Sequence, residues 1–295
     1  MYRHTDFDYA VCTNGGSNMK PALILLCAIL LTIATIALPS SFHSQSPDSS
    51  PAGLVCNSSP RTCLDYTLNI YLKALLVHKP EALPVAENIR FTENGVVRRL
   101  GEGLWQTITK FNVAAGGTKQ EYIDLPQGIA GLHMVAMEGT SSAVFILRIK
   151  VSDRKITEAE THVLRSNADG SRLDLSGLNG FSGPMNIVPK QSQLNSRDEL
   201  ARISAQYLEA QKSGNFNAAV SVLAGDAYRV ENGRATEGLR TQPIRPAKGF
   251  TYRIDAIDED FGLVWVREDF SGRLAWEGIK IYDGQIHAIE GVTGI

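Results

Sequence analysis

Apolar residues recur at helical spacing in two separate segments of the chain, and each segment precedes several strand-like stretches. The first segment begins at Pro60 and places Leu64, Leu68, Tyr71 and Leu75 at three- and four-residue steps. Such a stripe predicts an amphipathic helix that buries one side. Proline is common at the first position of a helix, which supports Pro60 as its start.

The second helical segment carries stronger end signals. Ser196 and Glu199 form the capping-box pattern of a helix start, and Gly214 stands where helices often stop. Its apolar stripe consists of Leu200, Ile203, Tyr207 and Ala210. We therefore expect one long helix at the beginning of each half of the chain.

Strand-like stretches follow both predicted helices in a similar order. Strands are predicted at 89–92, 131–138, 142–151 and 156–164, and then at 250–257, 263–270, 274–282 and 285–292. Asn94-Gly95 and Asn232-Gly233 are typical of hairpin turns. Two shorter helices are predicted at 104–111 and 216–223.

The two halves share short sequences at nearly constant distances. Tyr71-Leu72 returns as Tyr207-Leu208, 136 positions later. The stretch Phe91-Thr92-Glu93-Asn94-Gly95 has a counterpart ending in Glu231-Asn232-Gly233, at an offset of 138 positions. A repeat of that length is a whole domain rather than a solenoid unit, so the sequence predicts two related domains in tandem.

The last predicted strand of each half carries apolar residues three positions apart, at Ile156 and Ala159 and again at Ile286 and Ile289. A regular strand places residues two apart on the same side. The shared irregular spacing predicts a β-bulge, which bends a sheet. The expected fold class is therefore α+β: two tandem cone-shaped domains, each with N-terminal helices packed in a curved, mostly antiparallel β-sheet.

The N-terminal region predicts the location of the protein. Residues 21–38 carry no charge, and this length lies between a signal peptide and a signal anchor, so both remain open. Residues 1–20 are either an n-region or an overextended start, because Met19 offers an alternative to Met1. Basic residues precede the segment and the next one is Arg61, so the positive-inside rule predicts a secreted or lumenal body, or an anchored body that faces the lumen.

The rest of the chain is predicted to contain four parts. They are a flexible stalk at 39–55, a first cone domain at 56–165, a linker at 166–195 and a second cone domain at 196–295. The linker is rich in Gly, Ser and Asn.

Cys56 and Cys63 are the two cysteines of the predicted body, and an oxidising compartment favours a disulfide between them. Two unlinked thiols are the alternative. Asn57 begins a glycosylation sequon, which matters only if the chain is secreted. No metal site is expected, because two cysteines without a nearby histidine do not complete a structural zinc site.

Composition and charge exclude several classes of protein. A net charge of −2 without dense Lys and Arg clusters gives no electrostatic basis for binding nucleic acid. The content of 43% hydrophobic and 20% charged residues is typical of a globular chain. The sequence has no phosphate-binding glycine loop, nucleophile elbow or His-Glu-x-x-His motif, and we expect no cofactor.

The order of helices followed by strands resembles the nuclear transport factor 2-like superfamily, which includes SnoaL-like and ketosteroid-isomerase-like cones. Several motifs are more narrowly similar to a family of secreted fungal proteins with a domain of unknown function, over 56–165 and more loosely over 196–295. The motifs are Cys56…Cys63-Leu64, Tyr71-Leu72, Phe91-Thr92-Glu93-Asn94-Gly95, Leu100-Gly101-Glu102-Gly103-Leu104-Trp105 and Lys155-Ile156-Thr157-Glu158. The resemblance implies a pocket for a small apolar molecule and, in an enzyme, cofactor-independent isomerase, cyclase or dehydratase chemistry of secondary metabolism.

Enzymes of this superfamily work by acid–base catalysis inside an apolar cone, where desolvation moves the pKa of a carboxylate or histidine towards neutrality. His133, Glu93 and Asp255 are the weak catalytic candidates. A core histidine and a carboxylate that orders a hairpin are the structural alternatives for the first two. His162 is a further titratable candidate of the first domain, with an exposed position as its alternative. The other titratable strand residues are Glu268, Asp269, Glu277 and His287.

A ligand pocket is expected to be lined by aromatic residues, with core packing as the alternative. These residues are Tyr71, Trp105, Tyr207, Trp265 and Trp276. The alternative function is a non-catalytic secreted module for structure or protein interaction, in which the open sheet faces of the two domains pack together. Membrane contact is expected only through residues 21–38 if they are not cleaved, and the oligomeric state stays open.

Overall fold

The computed structural model of the protein describes residues 58–111, 120–166, 175, 183–232, 234–236, 239–241 and 246–293. Ser49–Ile295 is one compact unit that contains two β-sheets. The helices in these ranges are all too short or too polar to cross a membrane. The predicted leader at 21–38 and stalk at 39–55 lie outside the described residues, and the domain boundaries stay a prediction.

The first sheet has seven strands and follows helix α1 (Pro60–Leu76) and a 3-10 turn (Pro80–Ala82). Its elements are β1 (Val85–Glu93), β2 (Val96–Arg98), helix α2 (Leu104–Thr107), β3 (Lys110–Phe111), β4 (Gln120–Asp124), β5 (Ile129–Glu138), β6 (Ser141–Ser152) and β7 (Lys155–Leu164). The strand order is β2-β1-β7-β6-β5-β3, and β4 also pairs with β5. Strands β1 and β7 are parallel, and the other pairs are antiparallel.

The second sheet has six strands and follows two 3-10 turns (Gly183–Asn186 and Gln191–Gln193) and helix α3 (Arg197–Ser213). Its elements are helix α4 (Phe216–Val220), β8 (Leu223–Glu231), β9 (Arg234–Thr236), β10 (Phe250–Asp258), β11 (Leu263–Phe270), β12 (Leu274–Tyr282) and β13 (Gln285–Thr293). The strand order is β10-β11-β12-β13-β8-β9, with β8 and β13 parallel. The α+β class with two helix-and-sheet domains is thus confirmed. We call the parts around the two sheets the first and second domains.

Two predicted helices are shorter than expected. Helix α2 ends at Thr107 instead of reaching residue 111, because the chain turns extended at Ile108 and β3 pairs with β5. The β-branched run Thr107-Ile108-Thr109 favours this extended conformation. Helix α4 likewise ends at Val220, and β8 begins at Leu223.

The local signals at helix and strand ends are confirmed. Ser196 and Glu199 form the capping box of α3, and Gly214 ends the helix in the left-handed conformation. The pairing of β7 with β6 shifts register between Ile156 and Glu158, and that of β13 with β12 shifts at the matching place. The predicted bulge is therefore present in both domains.

A repeated asparagine fixes the parallel strand pair of each sheet. Asn94 has a φ of 50°, and its Oδ1 accepts a 2.8 Å bond from Val163 N while its Nδ2 donates to Val163 O. Asn232 has a φ of 49° and makes the same bonds to the backbone of Thr293. Asparagine tolerates this left-handed conformation and offers both a donor and an acceptor, which explains its return at this position.

The two sheets pack against each other through the faces that point away from their helices. Between them lies an apolar cluster with members from both domains. At its centre the Tyr122 and Trp265 rings stack at 5.0 Å with an interplanar angle of 3°. A Cβ on Gly131 would lie 2.1 Å from the Trp265 ring, and one on Gly278 would lie 2.2 Å from Tyr122 Oη, so glycine is required below each ring.

Two reciprocal ion pairs link the domains. Arg61 of α1 makes two 2.7 Å bonds to Asp258, whose Oδ2 also accepts a bond from Ile123 N. Arg197 of α3 binds Asp124 at 3.0 and 2.7 Å, and Asp124 accepts a bond from Ile257 N. Each domain thus gives the other the same set of contacts, as the two protomers of an isologous dimer do.

Candidate functional site

The interior between α1 and the first sheet, which we call the first cone, is filled mainly by apolar side chains, and its unpaired buried polar atoms are Tyr71 Oη and Trp105 Nε1 among the described residues. Tyr71 and Trp105 meet there edge to face, with ring centroids 5.3 Å apart. Leu68, Leu75, Phe91, Met134 and Leu147 belong to the same buried cluster. This arrangement is a packed core.

The interior between α3 and the second sheet, the second cone, has a different lining. Ile203, Tyr207, Val264, Val266 and Ile279 form its apolar part. Between these residues the second cone holds five polar side chains, namely Ser204, Gln211, Arg229, Glu268 and Glu277. All except Arg229 are buried, and the Arg229 side chain is 15% exposed.

Matching positions of the two cones can be assigned from the repeat offset and the strand registers. On the helices, the offset of 136 pairs Leu68 with Ser204 and Leu75 with Gln211. On the first strand of each sheet, the offset of 138 pairs Phe91 with Arg229.

The last hairpins of the two domains, at Asp153 and Asp283, are 130 positions apart, and this offset pairs Phe145 with Ala275 and Leu147 with Glu277. Met134 lies opposite Phe145 on β6, and Glu268 lies opposite Ala275 on β12. Leu147 and Glu277 lie opposite Thr161 and Gly291 respectively in the next strand pair. Thus five apolar residues of the first cone correspond to Ser204, Gln211, Arg229, Glu268 and Glu277 in the second.

Arg229 connects the polar residues of the second cone to its open end. Its guanidinium donates to Glu277 Oε1 and, over 3.4 Å, to Tyr207 Oη. Its Nε lies 3.7 Å from Glu231 Oε2, on a side chain that is 41% exposed. Although burial opposes the charge of Arg229, the neighbouring Glu277 raises its pKa, so this arginine stays charged.

Glu268 and Glu277 form a buried carboxyl pair beside this single cation. Burial raises the pKa of Glu268 well above its ordinary value, and the charge of Glu277 adds to the shift. Burial also raises the pKa of Glu277, against the opposing effect of Arg229. Two neighbouring carboxyls of this kind share a proton and titrate as a pair.

Several polar atoms of the second cone have no hydrogen-bond partner among the described residues. They are Ser204 Oγ and Gln211 Nε2, together with the carboxyl oxygen of Glu268 that the shared proton does not join to Glu277. Tyr207 also lies here, and burial raises its pKa to about 12. The helix α3 and the sheet therefore place unpaired polar atoms on two walls of one interior.

Of the catalytic candidates, Glu93 lies at the edge of the first cone. It accepts a 2.8 Å hydrogen bond from Leu104 N, and a Cβ on Gly103 would lie 2.4 Å from its carboxylate. This contact holds the start of α2 against the hairpin, which is the structural role considered for Glu93. Its counterpart Glu231 instead faces Arg229 in the second domain.

His133 and Asp255 lie outside both cones, on the faces between the sheets. His133 is buried near Tyr122, and burial lowers its pKa to about 4. Asp255 is the extra residue of a bulge in β10 and pairs with Arg253, while burial raises its pKa. The expectation that these two residues point into a cone is wrong, because their strands turn the opposite face to the helices.

The same correction applies to three further residues. Trp265 and Trp276 belong to the cluster between the sheets and do not line a cone with Tyr207. His162, for which an exposed position was the alternative, has a side chain that is 1% exposed, and its ring lies 4.2 Å from that of Trp276. Both faces of these strands are buried, so aromatic residues pack on the outer side too.

Two further predicted sites cannot be placed on the described residues. Cys56 and Asn57 lie outside the described residues, so the disulfide with Cys63 and the glycosylation stay predictions. The parts of the chain that the structure describes contain no group of three or more His, Cys, Asp or Glu side chains suited to a metal ion.

Two clefts open on the surface outside the polar cluster. One of about 250 Å³ lies beside the start of α1 and is lined by Pro60, Leu64 and Val151 among others. The other, of about 240 Å³, lies where the two domains meet, beside Asp258 and Asp260. Neither cleft contains the unpaired polar atoms of the second cone.

Sequence reasoning named Glu268 and Glu277 only as titratable strand residues and missed Ser204, Gln211 and Arg229. Aligning the two halves at the repeat offset would have found the helix positions, because leucine becomes serine or glutamine there. The cross-domain pairs Arg61–Asp258 and Arg197–Asp124 were also missed. Their spacing, 136 between the arginines and 134 between the aspartates, follows the repeat.

Comparison with known proteins finds one family model that matches part of the chain. Residues 193–293 match the model of a domain of unknown function, DUF8021. These residues cover the second domain, where the sequence resemblance was looser. No curated protein matches the chain.

Solved structures similar to the chain include proteins of unknown function. An NTF2-like protein from Methylobacillus flagellatus shares 16% identity at a TM-score of 0.29, over 33% of this chain and 91% of that one. A protein with a cystatin-like fold from Methylobium petroleophilum shares 16% at 0.30, over 35% and 80%. An NTF2-like protein from Burkholderia xenovorans shares 14% at 0.27, over 33% and 84%.

Proposed function

We propose that the second cone binds a small, largely apolar molecule and that its polar side chains contact this molecule. One observation supports the proposal above the others. Five positions that are apolar in the first cone are polar in the second, and Ser204, Gln211 and Glu268 carry buried polar atoms without a hydrogen-bond partner among the described residues.

The energetic cost of burying these polar side chains favours a functional reason for their presence. A buried polar group without a hydrogen bond costs about 1–3 kcal/mol, and replacing a buried ion pair by apolar residues is often neutral or stabilising. The first cone shows that apolar residues at the five matching positions are compatible with this fold. Polar residues that lower stability where an apolar solution exists are expected at functional sites.

The carboxyl pair suits cofactor-independent acid–base chemistry. With one proton shared between Glu268 and Glu277, one carboxyl can donate a proton to a bound molecule while the other accepts one. Arg229 stabilises the negative charge of the pair, and the apolar wall excludes water. The second cone therefore supports an isomerase, cyclase or dehydratase type of reaction, as in the secondary metabolism that the family resemblance implies.

A binding screen on the whole body of the protein tests the proposal. Methyl resonances of Ile, Leu and Val residues would be followed by NMR while a library of neutral ring compounds is added. We expect shifts at Ile203, Val264 and Ile279 of the second cone. Leu68 and Leu147 of the first cone serve as internal controls and should not shift.

A matched variant separates specific binding from general hydrophobic contact. In the triple variant Arg229→Phe, Glu268→Met and Glu277→Leu, the second cone receives the residues of the first, and binding should be lost while the fold remains. Compounds that shift neither cone, or both cones equally in the wild type, would rule out the proposed site.

The second candidate is a non-catalytic structural or interaction module. It is favoured by the packed first cone and by the cluster that joins the two sheets. Under this alternative the triple variant would keep every property of the wild type, including recognition of its partners.

The location of the protein is also part of the proposal. The uncharged segment at 21–38 and the sequon at Asn57 support a secreted or lumenal fungal-type protein, with a membrane anchor if the segment is not cleaved. Expression of the full chain in a fungal host, followed by N-terminal sequencing of the protein in the medium, tests the secretion and the start of the mature chain.

A further inference from the structure

The buried charges of the second cone balance when Glu268 and Glu277 share a proton, which restricts the molecules that the cone can hold. The guanidinium of Arg229 faces the carboxyl pair of Glu268 and Glu277, which carries one negative charge when it shares a proton. Glu231 adds a negative charge at the exposed end, 3.7 Å from Arg229 Nε. The cation is thus already opposed by carboxylates.

An anionic molecule is disfavoured by this arrangement. Its charge would lie beside the carboxyl oxygens of Glu268 and Glu277, in an interior where Coulomb repulsion is stronger than in water. A cationic molecule would in turn lie beside Arg229, whose charge the Glu277 carboxylate already balances. An uncharged molecule meets neither penalty.

The unpaired polar atoms show what else the molecule must carry. Ser204 Oγ and Gln211 Nε2 lie on the helix wall and can donate hydrogen bonds. They are seven residues apart in α3, which is about 10 Å along the helix axis at 1.5 Å per residue. One oxygen atom of a bound molecule does not reach both.

The side of the cone formed by the sheet, which we call the sheet wall, offers a hydrogen-bond acceptor, whereas the helix wall offers donors. The shared proton joins Glu268 to Glu277, and Glu277 also accepts from Arg229, so the remaining oxygen of Glu268 is the free acceptor on the sheet wall. This oxygen favours a hydroxyl group, which donates to a carboxylate and accepts from a neighbouring donor. Between the two walls, Ile203, Val266, Ile279 and their neighbours offer only apolar contact.

We infer that the molecule bound in the second cone is uncharged and carries at least two hydroxyl or carbonyl oxygens, at least one of them a hydroxyl, on an apolar ring or chain. This inference rests on the proposed function, and it narrows the ligand class to neutral oxygenated compounds. Carboxylates, phosphates and amines are excluded as preferred ligands.

Five probes on one ring frame test the inference with the whole body of the protein. They are naphthalene, 2-naphthol, 2,6-dihydroxynaphthalene, 2-naphthoate and 2-naphthylmethylammonium, titrated at pH 7 with calorimetry and methyl NMR. We expect 2,6-dihydroxynaphthalene to bind at least tenfold more tightly than naphthalene, with 2-naphthol between them. The two charged probes should bind more weakly than 2-naphthol.

Variants at the helix wall separate hydrogen bonding from shape. Ser204→Leu and Gln211→Leu, which introduce the residues of the first cone, should each weaken the diol about five- to tenfold and leave naphthalene unchanged. Ser204→Ala is a smaller change that keeps the packing intact if the leucine variant does not fold.

The outcomes distinguish the inference from the proposed function. Equal or tighter binding of 2-naphthoate or the ammonium probe in the second cone overturns the inference but leaves the proposed site in place. Equal binding of 2-naphthol and the diol overturns the requirement for two oxygens. Failure of all five probes to shift the second-cone methyl groups at millimolar concentration overturns both.

Discussion

The two cones of this protein are built on one plan and filled in two ways. In both, a tyrosine of the leading helix, Tyr71 or Tyr207, is buried at the same repeat position, and the asparagine at the end of the first strand bonds to the backbone of the neighbouring parallel strand. The first interior is then closed by apolar side chains, whereas the second contains a charged network around Arg229. Because the two domains share the same helices and strands, the polar interior is a property of the second domain and not a requirement of the fold.

This difference also shows where stability and function can separate after a duplication. The reciprocal Arg61–Asp258 and Arg197–Asp124 contacts hold the two domains together equally. With that interface maintained by both halves, one cone can serve as a packed support for the other. We interpret the first domain as the structural partner of a second domain that keeps a binding interior.

The largest expected effect comes from removing the cation of the second cone. Arg229→Leu leaves the carboxyl pair without a counter-charge in a buried site, so we expect a loss of about 3–5 kcal/mol in the free energy of unfolding. Urea denaturation at pH 7 measures it. Phe91→Leu at the matched position is the control and should cost less than about 1.5 kcal/mol. Equal losses for the two variants would contradict the contrast between the cones.

Replacing the whole charged network should leave the free energy of unfolding unchanged or raise it, in contrast to Arg229→Leu. The triple variant Arg229→Phe, Glu268→Met and Glu277→Leu removes the desolvated charges together, and we expect no loss or a gain of about 1–4 kcal/mol. The midpoint of urea unfolding is the measurement. A loss larger than that of Arg229→Leu would mean that the network is needed for folding.

Equivalent substitutions on the two sides of the domain interface should lower the stability by similar amounts. Asp258→Asn and Asp124→Asn each weaken a bidentate ion pair and a bond from a backbone N–H, so each should cost about 1.5–3 kcal/mol. The equivalence of the two contact sets predicts similar losses, measured by thermal and urea unfolding. A large loss for one variant and none for the other would break the symmetry.

The smallest expected effect is a change in pH dependence. Because the pKa of Glu268 is raised above its ordinary value of 4.5 in the folded protein, the unfolded chain releases this proton first as the pH rises. The stability of the wild type should therefore fall as the pH rises above about 4.5 until it passes the folded pKa. Glu268→Gln removes this fall.

The variant and the wild type should therefore differ least near pH 4 and increasingly towards pH 8 in the free energy of unfolding. Met134→Leu at the matched position of the first cone is the control, since it adds no titratable group. Parallel curves for wild type and Glu268→Gln between pH 4 and 8 would show that Glu268 is not held protonated.

Much of the fold could be predicted from local sequence, because local rules decide it. The capping box at Ser196 and Glu199, the stop at Gly214, and the left-handed turn at Asn94 depend on a few neighbouring residues. The spacing of Ile156 and Ala159 likewise predicted the bulge, since both residues must reach the same interior.

The sequence by itself determined the two helix-first domains, their repeat and the bent last hairpin, since periodicity and turn chemistry act within short stretches. Only the tertiary structure decided which face of each strand looks into a cone. Strand β11, with Trp265 and Glu268, is buried on both sides, so its apolar run has no clear alternation to mark the inner face. The packing of one sheet on the other turned Trp265 outward to Tyr122 and left Glu268 beside Glu277 and Arg229 inside the second cone.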